Sequence, residues 1–175
     1  MICNVITLIV TLFDIIRLRK GPEAIPHSPV LFVFTVAAWL VAGAMITALI
    51  DGLDQTDFLV SIVTGVIALL IYAAVVVLSR RSSRLLQTIT AILGCGALLQ
   101  FTFAAGHVFL TMIIGKNLAA LINYLILLWS VPVEGHIIAR ASNRHWTIGL
   151  LIAAAVFLIQ IQLGLAINPV DTLAP

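Results

Sequence analysis

Charge is what this sequence has least of. Only 9% of its 175 residues are Asp, Glu, Lys or Arg, while 62% are hydrophobic and the mean hydropathy is +1.22. A soluble domain is about 25% charged and about 45–50% apolar. So few charges cannot cover a globule in water, which excludes an ordinary soluble enzyme and makes lipid the expected solvent. Nucleic acid is not expected among its partners. Cysteine is nearly absent as well: Cys3 and Cys95 are the only two. They lie on different segments, so a disulfide between them is not expected, and two thiols cannot hold zinc alone. Both read as small apolar residues.

Chemical motifs are missing too. There is no HExxH zinc helix, no GxSxG elbow and no glycine-rich phosphate loop. No aspartate pair lies inside an apolar run. Asp51-Gly52 opens like the motif of the phospholipid-synthesising alcohol phosphotransferases, but the alanine, arginine and later aspartates do not follow. The expectation is therefore no enzyme and no cofactor. No internal repeat or low-complexity tract appears. A cleavable signal peptide is not expected, because the apolar run begins at Ile2 and the basic cluster follows it.

What is present is a series of long apolar segments. A bilayer core of ~30 Å needs about 20 apolar residues in a helix. Residues 29–50, 58–79, 118–139 and 145–167 meet that requirement. The third segment is longer, running over 85–106 or on to 114. Thirty residues make about 45 Å of helix, so we expect either a tilted helix or a break near Gly106-His107. Ser28-Pro29 reads as a helix start, Asp57 as the cap and an anion at the positive end of the second span, and Gly115 with Asn117 as a stop before a new start.

Residues 1–20 differ. Asn4, Thr7, Thr11, Asp14 and Arg17 recur at helical spacing, forming one polar stripe among Ile, Val, Leu and Phe. About 16 residues reach only about 24 Å, so this segment reads as an amphipathic interfacial helix. A sixth, short span is the alternative. Residues 21–28 form a proline-rich linker and 168–175 a short tail. The fold class is thus an all-α integral membrane bundle of about five transmembrane helices (residues 29–167), preceded by an N-terminal amphipathic interfacial helix.

The few charges are segregated. Arg17, Arg19, Lys20, Arg80, Arg81, Arg84, Arg140 and Arg144 fall on one side of a five-span chain. Lys116 stands on the other with Asp51, Asp54, Asp57 and Asp171. Basic residues near span ends stay in the cytoplasm, which places the N-terminus there, with a bacterial inner membrane as the expected location. The eight basic residues are candidate contacts for anionic lipid head groups.

Glu134 is the residue that most invites a function. It lies in Trp129-Ser130-Val131-Pro132-Val133-Glu134-Gly135-His136, inside the fourth span. A carboxylate deep in a bilayer costs ~3 kcal/mol on insertion scales and usually has a task. Pro132 removes a helical hydrogen bond and Gly135 admits a close neighbour. Glu134, His136, Pro132 and Gly135 are therefore a candidate polar pocket, and an ion pair of Glu134 with Arg80, Arg81 or Arg84 is the structural alternative. Two residues apart on a helix means about 200°, so Glu134 and His136 do not converge as an acid and base. Haem is not expected: His136 and His145 sit at helix ends without a further pair, and His107 lies near the opposite side. Gln87, Gln100, Asn123, Gln160 and Gln162 read as amides bonding across helices, with Gln160 and Gln162 on different faces. The spacings Ala38/Ala42, Gly43/Thr47 and Gly149/Ala153 suit close helix packing.

Leu128-Trp129-Ser130 through Glu134-Gly135-His136 and Ala139, then Ala141 and the start of the fifth span, resembles the small bacterial Yip1-like membrane proteins. The approach from Gly21-Pro22 to Pro29 is similar as well. The resemblance implies five spans with a cytosolic N-terminus. The GTPase contacts of eukaryotic members involve a longer N-terminal region that this sequence lacks, so none is carried over, and no catalytic residue is implied.

These readings converge on a non-catalytic multi-pass membrane protein: an accessory, assembly or membrane-organising subunit. Its expected partners are lipids and either another membrane protein or further copies of itself. A small transporter or channel using Glu134 is the alternative. A lipid-acting enzyme with Glu134 and His136 as base and acid is the third.

Overall fold

The structure is a computed structural model that describes residues 2–50 and 53–168, with side chains from Ile6 onward. Asp51, Asp171 and the side chains of Cys3 and Asn4 fall outside the described part. The elements are α1 (Ile2–Ile16), a 3-10 turn (Pro22–Ala24), α2 (Pro29–Leu49), α3 (Gln55–Leu78), a second 3-10 turn (Ser82–Arg84), α4 (Leu85–Ile114), α5 (Lys116–Ser142) and α6 (Trp146–Ile167). Helices α2 to α6 are each long and apolar enough to cross a membrane. The protein is an all-α, multi-pass membrane bundle.

Local chemistry explains the boundaries. Ser28 is the N-cap of α2 with Pro29 in its first turn, where the missing N–H costs nothing. α3 starts earlier than the hydropathy suggests. Asp54 is its cap, and Asp57 closes a capping box as the third helical residue, with reciprocal bonds of 3.0 Å. The Asp57 backbone N–H holds the Asp54 carboxyl below the usual carboxylate range. Asn168 Nδ2 donates to Asp57 Oδ1 at 2.7 Å, tying the end of α6 to the start of α3.

Three helices end alike. Leu18, Arg80 and Asn143 adopt left-handed φ values of 60°, 56° and 55° just past α1, α3 and α5. The N–H of the following residue (Arg19, Arg81 or Arg144) then reaches back to Asp14, Val76 or Ala139. These are Schellman terminations, and in each an arginine donates the long bond. Three helix C-termini and their arginines thus share one end of the bundle, where cations suit the negative ends of the helix dipoles.

The long third segment is one uninterrupted helix, so of the two expectations the break near Gly106-His107 fails. Gly106 serves instead as a notch. A Cβ there would meet Asn123 Oδ1 of α5 at 2.6 Å, so the glycine admits a neighbour and the backbone continues. The chain turns at Gly115, whose φ of 81° and ψ of 164° belong to glycine alone.

The five spans form a ring in the order α2, α4, α5, α6, α3 and back to α2. The α5–α6 crossing is the closest. Gly135 and Ala139 face Gly149, and a Cβ on Gly149 would overlap Gly135 O. Small residues here let the two backbones meet. α1 lies outside the ring against α4 and α5, burying Leu8, Leu12 and Ile15. Leu12 fills the notch of Gly94, and Cys95 Sγ lies 3.8 Å from Leu12 O. On its other side α1 exposes Ile6, Val10 and Phe13. Its polar stripe divides: Thr7 is exposed, Thr11 is buried, and Asp14 is half-buried in an ion pair with Lys20 at 2.8 Å.

Candidate functional site

A half-open cavity of about 560 Å³ lies between the spans, and all five contribute to it. It extends from Ile50, Leu53 and Phe58, at the turn between α2 and α3, to Tyr72 and Glu134. Glu134 lies eight residues inside the end of α5 and Tyr72 six inside the end of α3, about 12 and about 9 Å from the arginine-bearing end. At this floor Tyr72 donates its hydroxyl to Glu134 Oε2 at 2.5 Å. Tyr72 is 1% exposed, so the phenol is fixed by packing and the carboxylate is held in turn.

Above the floor the wall is mostly apolar. Gln100 and Gln160 both line it, about 22 and about 21 Å along α4 and α6 from the same end. The Gln100 Oε1 atom is buried without a hydrogen-bond partner. Ser130 also lines the cavity and spends its hydroxyl on Leu127 O. Aromatic faces come from Trp39, Phe58, Phe103 and Phe157. Two of these close the α2–α3 side. The Trp39 ring lies over Gly65, where a Cβ would come within 2.7 Å, and Phe58 lies against Gly43.

Of the candidate pocket residues, only Glu134 faces this cavity. Gly135 is turned toward α6 and forms the close crossing. His136 points to the outside of the ring, where Nε2 donates to Lys20 O at 3.1 Å and fastens the chain leaving α1. Pro132 is half-buried within the unbroken α5 and is not on the cavity wall. Glu134 and His136 diverge, as their offset requires. The ion pair of Glu134 with Arg80, Arg81 or Arg84 is not formed; Tyr72 is the partner. Gln160 lines the cavity whereas Gln162 is exposed on the other side of α6.

The eight basic candidates do share one end. Lys20 pairs with Asp14, and Arg140 with Glu23 at 2.9 Å. Arg84 donates to Arg140 O. Arg17, Arg19, Arg80 and Arg144 are exposed, and Arg81 half-buried. His145 caps α6 through Nδ1, which accepts from the Thr147 backbone. Gln87 donates to Ile25 O and pins the linker.

Sequence reasoning missed Tyr72, Gln100 as an orphaned acceptor, and Trp39. Depth was the usable signal for Tyr72. Counted from the arginine-bearing ends, Tyr72 and Glu134 fall at similar heights on two spans, and a phenol buried in lipid needs an acceptor. No protein-family model, curated protein or solved structure matches this chain.

Proposed function

We propose that this protein binds a small, largely apolar molecule in its interhelical cavity and handles it within the membrane as a carrier or small transporter, without catalysis. One observation carries the reading: five spans surround one cavity of about 560 Å³ that ends on a lone hydrogen-bonded carboxylate. That volume lies within the ~300–1,000 Å³ of small-molecule sites, which are likewise mostly apolar with a few placed polar groups. A purely accessory or membrane-organising subunit, the role favoured by composition, gives such a cavity no task. The diverging Glu134 and His136 leave a lipid-acting enzyme without its acid–base pair. We place the arginine-bearing end in the cytoplasm of a bacterial inner membrane, on the charge bias.

The test uses the full chain in nanodiscs of zwitterionic lipid and a neutral environment-sensitive probe, dansyl-N-pentylamide. Saturable binding above that of empty nanodiscs is expected, and Ser130→Trp, which fills the wall beside Glu134, abolishes it. Signal identical to empty nanodiscs, or untouched by Ser130→Trp, overturns the reading.

A further inference from the structure

We infer that the cavity selects molecules bearing an organic ammonium group, with Glu134 as the counter-ion at its floor. The inference rests on the binding reading above and adds the chemical class of the ligand.

The charge inventory of the wall comes first. Among the described residues, Glu134 is the only acidic or basic side chain lining the cavity. Its hydrogen-bonding partner is Tyr72, a neutral phenol that binds one carboxylate oxygen, Oε2. The ion pairs among the described residues, Lys20 with Asp14 and Arg140 with Glu23, lie at the arginine-bearing end and do not include it. A carboxylate set about 12 Å inside a bundle without a cation is costly, because low-dielectric surroundings penalise an uncompensated charge. Intramembrane ionisable groups pair with one another or with backbone, mark ion and proton pathways, or serve as counter-ions to ligands. Among the described residues no cation fills that place, and a bound cation would offset the cost.

The remaining wall points the same way. Gln100 lines the wall, but its Oε1 is covered by protein. An anionic ligand would set a like charge beside Glu134. Trp39, Phe58, Phe103 and Phe157 line the cavity with aromatic rings that suit an apolar body. The ligand chemistry is therefore an ammonium head with a hydrophobic remainder. An acid of the same shape is rejected by Glu134, and a neutral analogue keeps the packing but loses the charge term.

Three probes of one size separate these cases: dansylcadaverine, which carries a primary ammonium; dansyl-N-pentylamide, which is neutral; and dansyl-aminohexanoate, which is anionic. Each is titrated against the full chain in zwitterionic nanodiscs, with empty nanodiscs subtracted. The wild type binds the ammonium probe at least tenfold more tightly than the neutral one, and the anionic probe least. Glu134→Gln, which keeps shape and hydrogen bonding, brings ammonium and neutral probes to equal affinity. Tyr72→Phe keeps Glu134 and therefore keeps the ammonium preference. If the wild type holds the neutral probe as tightly as the ammonium, the inference falls while the cavity still binds. If no probe binds saturably, the cavity reading falls with it. An ammonium preference that survives Glu134→Gln overturns the role of Glu134. Should Glu134→Gln not fold, the wild-type ranking and Tyr72→Phe decide: loss of the preference in Tyr72→Phe assigns the selectivity to the phenol and refutes Glu134.

Discussion

The carboxylate inside α5 was the most legible residue in the sequence, and its partner the least. Charge alone matches Glu134 with Arg80, Arg81 or Arg84, which lie toward the same end of neighbouring spans. Geometry decides otherwise. Arg80 and Arg81 lie beyond the Schellman end of α3, while Glu134 stands about 12 Å inside α5. A phenol on the facing helix at similar height reaches it first. The same α3 end shows how a residue can be placed for topology rather than comfort. Arg80 occupies a left-handed conformation, φ 56°, which costs a non-glycine residue ~1 kcal/mol or more. Asn143 tolerates that conformation at the end of α5, whereas Arg80 has a full side chain and is exposed. Arg80→Gly should therefore raise stability by about 1 kcal/mol. Thermal unfolding in detergent micelles reads this directly. An unchanged or lower midpoint would mean that the Arg80 charge contributes more than its backbone conformation costs.

At the level of elements, long apolar runs gave every span to within a few residues, because a bilayer demands continuous helix and leaves little else to choose. Interruption was harder to read. Gly106-His107 looks like a hinge on a linear chain, yet glycine in a membrane helix serves packing as readily as bending. Its notch is occupied by Asn123, a residue 17 positions away that no local rule connects to it. α1 presents the same difficulty. Its polar stripe is real, but Leu8, Leu12 and Ile15 find the small residues Gly94 and Cys95 on α4, so apolar burial sets its docked face. The α5–α6 pair was legible because both helices carry small residues at the four-residue step. A methyl on Gly149 would run into the α5 backbone at Gly135 O and Ala139 N, which cannot rotate away. Gly149→Ala should cost about 1–3 kcal/mol by overpacking. Gly164→Ala, on the same helix with open space around its Cα, should be neutral or stabilising. Equal thermal midpoints for the two variants would show that this crossing is looser than its geometry implies.

For the whole molecule, charge and cavity share one axis. One end holds eight basic residues against Asp14 and Glu23, and the other holds Asp54, Asp57 and Lys116 among its described charges. The cavity begins near that second end, at Ile50, Leu53 and Phe58, and stops at Glu134, about 12 Å short of the arginines. Orientation therefore decides which compartment the cavity approaches. Short loops rich in arginine resist translocation, and the three clusters agree with one another, since α1, α3 and α5 all end there. The expected arrangement sets the arginines in the cytoplasm and turns the shallow end of the cavity outward. Single cysteines at Arg80 and Lys116, in a chain with Cys3 and Cys95 replaced by serine and alanine, test it with a membrane-impermeant maleimide. The Lys116→Cys chain should label in intact cells, and the Arg80→Cys chain only after permeabilisation. The reverse pattern would invert the molecule and make the cavity an inward-facing one. Ligand would then enter from the cytoplasm, and the arginine-bearing end would no longer meet the anionic lipid of the inner leaflet.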